Sequence, residues 1–356
     1  MSGWAESKPK IYFVKKIIVA PLNWGLGHAT RCVPIIHFLL ENNFAPILAS
    51  DGKALTFLQK EFPSLETIEL PSYNISYTKN LKTGLFFQIP KIVKAIKVEK
   101  NLIADFIKVN KDVVGIISDN RFGVRNAKIP SIYITHQVTV LSGIFTWFTS
   151  KIHQKIIKKF DECWIPDSIE NALSGRLSQS KNQDLKLKFI GVLSRFKKED
   201  LPVKNDVLIV LSGIESQRKK LEEKMLEIFQ NNSQKVVLVQ GKIEKQQTVK
   251  TQKGIKIYNY LLSSELEKEI NESEIIICRS GYSSIMDLAV LEKKIFFIPT
   301  KHQTEQEYLA NHLKTNKIAP FCKEENFSLE SLNETNNYIG LSSKKTNLDK
   351  DLLCLF

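Results

Sequence analysis

Strand-length apolar runs alternate with helical patterns along this chain, and the series starts twice. Residues 17–20, 47–49, 113–117, 132–135 and 163–165 make up the first series, with a helix expected over 30–41. Residues 207–211, 236–239, 275–278 and 295–298 make up the second, with a helix expected over 217–230. Short runs that are apolar throughout fit strands covered on both faces. Their alternation with helices predicts doubly wound parallel α/β sheets. A chain of 356 residues is too long for one ordinary core and suits two such domains. The polar stretch 173–204, holding Gly191 and Pro202, separates the two series. The expected division is a polar extension at 1–16, an N-terminal domain at 17–196, a C-terminal domain at 203–330, and a tail at 331–356 that either packs back or frays.

Charge narrows the partners. Fifty-one Lys and Arg against 38 Asp and Glu leave a formal net charge of +13, which attracts phosphorylated ligands, anionic lipid or nucleic acid. No zinc-finger spacing, aromatic RNA-binding signature or basic arm accompanies it, so nucleic acid is not expected. The five cysteines, Cys32, Cys163, Cys278, Cys322 and Cys354, are scattered without a CxxC pair. That argues against a disulfide framework or structural zinc and for a reducing, cytoplasmic setting. Residues 1–16 are polar and lysine-rich, without the apolar core of a secretory signal. No stretch reaches the roughly 20 apolar residues of a membrane span.

Two turns carry the chemistry. After the first strand comes Pro21-Leu22-Asn23-Trp24-Gly25-Leu26-Gly27-His28-Ala29-Thr30. Gly25 and Gly27 permit close backbone approach to a ligand, and the amides opening the helix face the same way. Thr30 stands where the dinucleotide fingerprint has its third glycine, and no Gly-Lys-Ser/Thr follows, so neither a dinucleotide loop nor a P-loop is expected. His28 lies at the C-terminal end of the strand, where open α/β sheets bind ligands. A neutral imidazole there can take a proton from an attacking hydroxyl; a helix-start histidine bonded to local backbone is the alternative.

The second turn is Cys278-Arg279-Ser280-Gly281-Tyr282-Ser283-Ser284-Ile285-Met286-Asp287. Ser283 or Ser284 is expected to cap the next helix and present its amides to a diphosphate. Asp287 is expected to accept two hydrogen bonds, as ribose hydroxyls require, although Ser284 and Asp287 also have capping-box spacing. In the run from Pro299 to Asn311, Gln303 and Gln306 are expected on one helix face.

Other candidates are open between function and structure. Asp119-Asn120-Arg121 ends a strand on the same edge as His28, either to orient an acceptor or assist His28, or as an ordinary turn. His136 is similar. His37 and His312 read as structural, His153 as solvated on a basic helix, and Asp349-Lys350-Asp351 as a solvated charge pattern. Over 85–107, Ile89, Ile92, Val93 and Ile96 share a face among Lys91, Lys94, Lys97 and Lys100. Ile144-Phe145-Thr146-Trp147-Phe148 precedes Lys151, Lys155, Lys158 and Lys159. Each stretch fits an anionic leaflet or a core helix with a lysine-rich outer side.

Taken in order, these pieces resemble glycosyltransferases of the GT-B fold, above all the family 28 group that builds on lipid-linked peptidoglycan precursors and diacylglycerol. Gly25-Leu26-Gly27-His28, Ser280-Gly281, Asp287, Pro299 and the run from Gln306 to Asn311 carry the resemblance. Thr135-His136-Gln137 and Leu211-Ser212-Gly213-Ile214-Glu215-Ser216-Gln217 add weaker matches, over roughly residues 15–325. It implies two Rossmann-like domains facing a cleft. It also implies inverting, metal-independent transfer of a sugar, N-acetylglucosamine among the candidates, from a UDP-type donor to a glycan or lipid-linked acceptor, with no cofactor and with a peripheral place on the inner membrane face.

Carried over, Asp287 would hold the ribose, and Gly281, Ser283 and Ser284, beside Arg279 and Ser280, the diphosphate. Gln306 would touch the donor sugar with Gln303 nearby. Ser212 and Gly213 would line the phosphate side, and Gly27 the facing edge. His28 would stand near the attacking hydroxyl with Asp119 behind it, and His136 and Gln137 on the acceptor side. Glu215 and Glu307 depart from the family pattern. A nucleotide-sugar hydrolase or epimerase, and a non-catalytic nucleotide or nucleic-acid binder, stay compatible with the sequence.

Overall fold

The computed structural model describes residues 14–73, 81–230, 232–343, 346 and 348–356. The first series forms β1 (Lys16–Pro21), α1 (Gly27–Glu41), β2 (Ala45–Ser50), α2 (Gly52–Glu61), β3 (Thr67–Glu69), α3 (Leu81–Val109), β4 (Val113–Asp119), β5 (Ser131–Ile134), α4 (Thr146–Ile157), β6 (Glu162–Ile165) and β7 (Leu187–Phe189). Its seven strands are parallel, in the order β3-β2-β1-β4-β5-β6-β7. The second series forms β8 (Asn205–Val210), α5 (Glu215–Phe229), β9 (Val236–Val239), β10 (Val249–Gln252), β11 (Ile255–Tyr258), α6 (Ser263–Asn271), β12 (Ser273–Cys278), α7 (Tyr282–Leu291), β13 (Lys294–Phe297) and α8 (Thr304–Thr315). Its order is β10-β11-β9-β8-β12-β13, parallel except for the β10–β11 hairpin.

Helices cover both faces of each sheet, so the central strands are apolar throughout. Ile17, Ile18, Val19 and Ala20 of β1 are all fully buried, as are Val207, Leu208 and Ile209 of β8. Chain direction away from the centre reverses between β1 and β4 in the first sheet and between β8 and β12 in the second. A doubly wound sheet opens a crevice at the C-terminal ends of its strands at that reversal. The two glycine-bearing turns follow β1 and β12, so both sit at such a point.

The halves touch directly. The Tyr282 hydroxyl donates to the Pro166 carbonyl at 2.7 Å, the Ser263 amide and hydroxyl donate to Glu61 at 2.7 and 2.6 Å, and the Arg176 amide donates to the Tyr308 hydroxyl at 3.0 Å. Apolar packing runs from Ile35, Phe57 and Leu58 through Phe196 to Ile285 and Leu288. The final segment returns to the first half. The Phe356 ring meets Phe44 edge-on at 6.5 Å and lies over Gly115, where a Cβ would come within 2.1 Å of it. The Asp349 carboxylate accepts from the Asp351 amide at 3.0 Å, a local cap.

All five cysteines are free thiols; Cys32, Cys163 and Cys278 are buried. No helix among the described residues is long and apolar enough to cross a membrane.

Candidate active site

Register places the first group. β1 and β4 are parallel neighbours with Pro21 opposite Asp119, so Asp119 ends its strand beneath the loop that leaves β1. Gly25 takes a left-handed φ of 77° in that loop, and α1 begins at Gly27. His28 therefore lies in the first turn of α1, with Nδ1 2.8 Å from Asp119 Oδ1. One turn on, Arg31 donates through Nε and Nη2 to both oxygens of Asp119. Asn120 holds a left-handed φ of 57°, and its amide bridges Asp119 Oδ1 and the Tyr133 hydroxyl at 3.1 and 2.8 Å. A non-glycine residue in that region stores strain, here beside the cleft.

Electrostatics separates the pair. Burial pushes the Asp119 carboxyl up, but Arg31 and His28 outweigh it and hold it well below the usual carboxylate range. Burial pulls the His28 imidazole below its ordinary value; Asp119 opposes that and Arg31 adds to it. Asp119 is thus a carboxylate and His28 neutral. His28 Nδ1 lies 2.8 Å from both Asp119 Oδ1 and Arg31 Nη2. Because Nη2 donates to Asp119 Oδ1, Nδ1–H goes to the same carboxylate and Nε2 keeps its lone pair. The His28 side chain is 16% exposed while Asp119 is 0%, so the imidazole edge reaches the cleft and the carboxylate does not. A base oriented from behind by a carboxylate is equipped to deprotonate a hydroxyl.

The second half presents its own turn. Ser283 donates to the Gly27 carbonyl at 2.8 Å, so the start of α7 lies directly against the start of α1. Gly213, with φ of 95°, follows β8 in an exposed loop. The Thr300 side chain faces it, with Oγ1 3.8 Å from where a Gly213 Cβ would stand. That buried hydroxyl and the buried Gln217 Oε1 have no hydrogen-bond partner among the described residues. A buried polar atom left unpaired costs about 1–3 kcal/mol, so this corner is suited to a polar ligand.

Residues 207–350 match the model of the glycosyltransferase family 28 C-terminal domain. A UDP-N-acetylglucosamine--N-acetylmuramyl-(pentapeptide) pyrophosphoryl-undecaprenol N-acetylglucosamine transferase from Buchnera aphidicola subsp. Schizaphis graminum (strain Sg) is 25% identical over 277 residues, covering 74% of this chain and 72% of that protein. The second half is a family 28-like domain, and the chain is a glycosyltransferase. Solved structures share the fold. The glycosyltransferase SnogD from Streptomyces nogalater superposes with a TM-score of 0.60 at 9% identity, over 90% of each chain. MurG from Acinetobacter baumannii gives 0.53 at 14% identity, over 90% of this chain and 89% of that one.

Within this glycosyltransferase, several expected donor ligands are spoken for by the protein itself. Asp287 does not offer a free carboxylate to a ribose: it is buried, accepts from Ser194 Oγ at 2.8 Å and lies 3.6 Å from Arg195 Nε, in the segment joining the two sheets. Arg279 is buried under the next loop, donating to the Ile298 and Pro299 carbonyls at 3.0 and 3.1 Å and to Glu324 at 2.9 Å. Ser280 is buried and donates to the Gln306 carbonyl at 2.8 Å. Gln306 turns its amide oxygen back to cap the Thr300 amide at 2.8 Å, so it does not share an outward face with Gln303, which is the N-cap of α8. Ser283 and Ser284 are not caps either; Gly281 is the N-cap of α7, and both serines fall inside its first turn.

Among the two departures from the family pattern, Glu215 is exposed and 3.8 Å from Lys53 across the cleft, while Glu307 accepts from the His302 amide at 3.0 Å. Gln137 is occupied through its backbone, its carbonyl accepting from His153 Nδ1 at 2.8 Å. His153 is not solvated. Its Nε2 lies 2.9 Å from the Tyr133 hydroxyl, and burial pushes it down to about 4. In α3, Ile92 and Ile96 are half-buried against Leu22, Tyr73 and Ala95, while Val93 is exposed; the side chain of Ile89 lies outside the described residues.

Two participants escaped the sequence reading. Arg31 is three residues after His28 on α1, a spacing that puts both on one face. Glu305 had no signal; it reaches the site only because α8 crosses to the first half.

Proposed function

We propose that this glycosyltransferase moves a sugar, N-acetylglucosamine first among candidates, from a uridine diphosphate donor to a hydroxyl of a glycan or lipid-linked acceptor, with inversion and without a metal. The acceptor oxygen attacks the anomeric carbon as its proton passes to His28 Nε2. The bond from that carbon to the diphosphate oxygen breaks on the opposite side, and the nucleoside diphosphate leaves with the electron pair. The observation that carries the reading is the His28–Asp119 pair at the first sheet's reversal point, facing the second sheet's reversal point. On the donor side, the Gly213 loop, the unpaired Thr300 hydroxyl and the α5 and α7 N-termini offer donors for the charge that gathers on the leaving group. The relative from Buchnera aphidicola, whose name specifies UDP-N-acetylglucosamine and a pyrophosphoryl-undecaprenol acceptor, supports the choice of substrates.

A thermal-shift panel of UDP, GDP and TDP tests the donor. Only UDP is expected to stabilise, by about 2.7 kcal/mol at a hundredfold excess over Kd. Equal shifts from all three, or none, would remove the assignment. Persistence of turnover in excess EDTA tests metal independence.

The lipid side rests on a patch. Ile144, Phe145, Trp147 and Phe148 are 92%, 57%, 68% and 57% exposed, beside exposed Lys151 and Lys155. Lys151 stands 4.3 Å over the Trp147 ring. Such a face fits an anionic leaflet. Burying one aromatic side chain yields about 1.5–3 kcal/mol. The double substitution Trp147→Glu and Phe148→Glu is therefore expected to cut sedimentation with phosphatidylglycerol vesicles at least about tenfold. Failure of the unaltered protein to bind vesicles would end the membrane reading.

A further inference from the structure

His136 follows β5, and its ring is bonded on both sides. Nδ1 lies 3.1 Å from Arg31 Nη1, and Nε2 lies 2.8 Å from Glu305 Oε1 on α8. Arginine can only donate, so His136 Nδ1 must be the acceptor and its proton must sit on Nε2, pointed at Glu305. The Tyr282 ring, from α7, stacks on the imidazole at 4.2 Å with the planes 15° apart. Both contacts that fix this ring from outside come from the second half. Arg31, held at one end by His136, donates through its other two nitrogens to Asp119, which orients His28, and its Nη2 also lies 2.8 Å from His28 Nδ1. A continuous set of bonds therefore runs from Glu305 through His136, Arg31 and Asp119 to His28. Among the described residues, the hydrogen bond that joins this set across the two halves is Glu305 to His136, beside the Tyr282 stack.

We infer that Glu305 is a positioning residue that completes the base when the two halves are shut. The inference rests on the reading of His28 as the base. With the halves together, Glu305 locks the His136 tautomer, His136 fixes the Arg31 fork, and the fork holds Asp119 where it accepts from His28 Nδ1. With the halves apart, His136 loses both Glu305 and Tyr282, and the fork loses one of its anchors. Base strength and donor-domain docking are thereby coupled, so the acceptor is deprotonated only when the donor side is in place. The charged and titratable groups facing this set are Asp119 and Cys32 beside Arg31, and Tyr282 and Glu305 against His136. Burial would push Glu305 up, but His136, His28 and Arg31 bring it below its ordinary value, so it is the carboxylate the set requires.

Nitrogen-15 imidazole spectra of the full chain with UDP present test this, together with steady-state transfer from UDP-N-acetylglucosamine. Signals are assigned by their loss in His28→Gln and His136→Gln, and far-ultraviolet circular dichroism confirms that each variant folds. The unaltered protein is expected to show the Nε2–H tautomer at His136 and the Nδ1–H tautomer at His28. Glu305→Ala is expected to average the His136 tautomer, shift the His28 signals, and lower kcat between about tenfold and about a hundredfold with the donor KM unchanged. Glu305→Gln, whose amide oxygen can still accept from Nε2–H, is expected to recover most of that loss. An averaged His136 tautomer in the unaltered protein overturns the inference. So does a Glu305→Ala variant with unshifted His28 signals and full kcat while His28→Gln is inactive. Full turnover by His28→Gln instead overturns the base assignment itself, and the inference with it.

Discussion

His28→Gln is expected to lower the rate of sugar transfer by about 10²–10⁴-fold while nucleotide binding, read by thermal shift, stays as it was. Glutamine keeps a polar group near Asp119 but has no lone pair able to take the acceptor's proton at neutral pH. The fold should tolerate the change, because Asp119 keeps both bonds from Arg31 and the His28 edge is already open to the cleft. The pH profile carries the sign. A base works when deprotonated, and burial lowers the His28 pKa from its ordinary value of about 6.5. Transfer should therefore hold steady as pH falls to about 6.5 and decline only below it. A decline centred above that value, or a His28→Gln variant with an unchanged rate, would remove His28 from the chemistry.

Arg121→Met is expected to destabilise the chain by about 3–5 kcal/mol, the effect of stripping the partner from buried charges. Arg121 is fully buried where β4 ends. Nη2 donates to Asp51, Nη1 to Glu99 at 2.6 Å and to the Pro71 carbonyl at 3.2 Å, and Nε to the Pro21 carbonyl at 3.2 Å. Glu99 is itself buried and also accepts from the Tyr73 hydroxyl at 2.7 Å and the Gly123 amide at 3.2 Å. Methionine fills similar space but leaves the Asp51 carboxylate without its cation and the Glu99 carboxyl, which burial pushes up to about 8, without that donor. Lysine would not restore the fork, since it cannot reach four acceptors from one planar group. Denaturant unfolding measures the loss, and a change below about 1 kcal/mol would show that the cluster is not held as described. Because the same guanidinium fixes the Pro21 carbonyl at the root of the β1–α1 loop, transfer should fall in the same variant.

The strands the sequence showed most clearly are the ones buried on both faces. The expected run 236–239 matches β9, and the runs in β1, β4, β8 and β12 are right to within two residues at either end. The strands it hid lack that signal. β3 and β7 are three residues long, and all four residues of the edge strand β10 are exposed. His153 was misread because the lysines around it mark the outer side of α4, while His153 itself faces Tyr133 and the sheet. The pairing of His28 with Asp119 was suggested by both falling at the C-terminal ends of strands. Its reality depends on β1 and β4 being neighbours, although 91 residues separate the two side chains in the chain.

The sequence alone determined the two-sheet architecture, the loops that face the cleft and the histidine at its edge. Burying a strand on both faces, and turning backbone tightly beside a ligand, are local demands that leave local residue patterns. Only the tertiary structure decided the partners: Asp287 to Ser194 rather than to the cleft, Arg279 to the Pro299 loop, and Glu305 to His136. A carboxylate or guanidinium has the same composition whether it meets solvent, ligand or protein. What it meets is set by how the strands are ordered and how the two halves are docked, and neither leaves a pattern of its own in the chain.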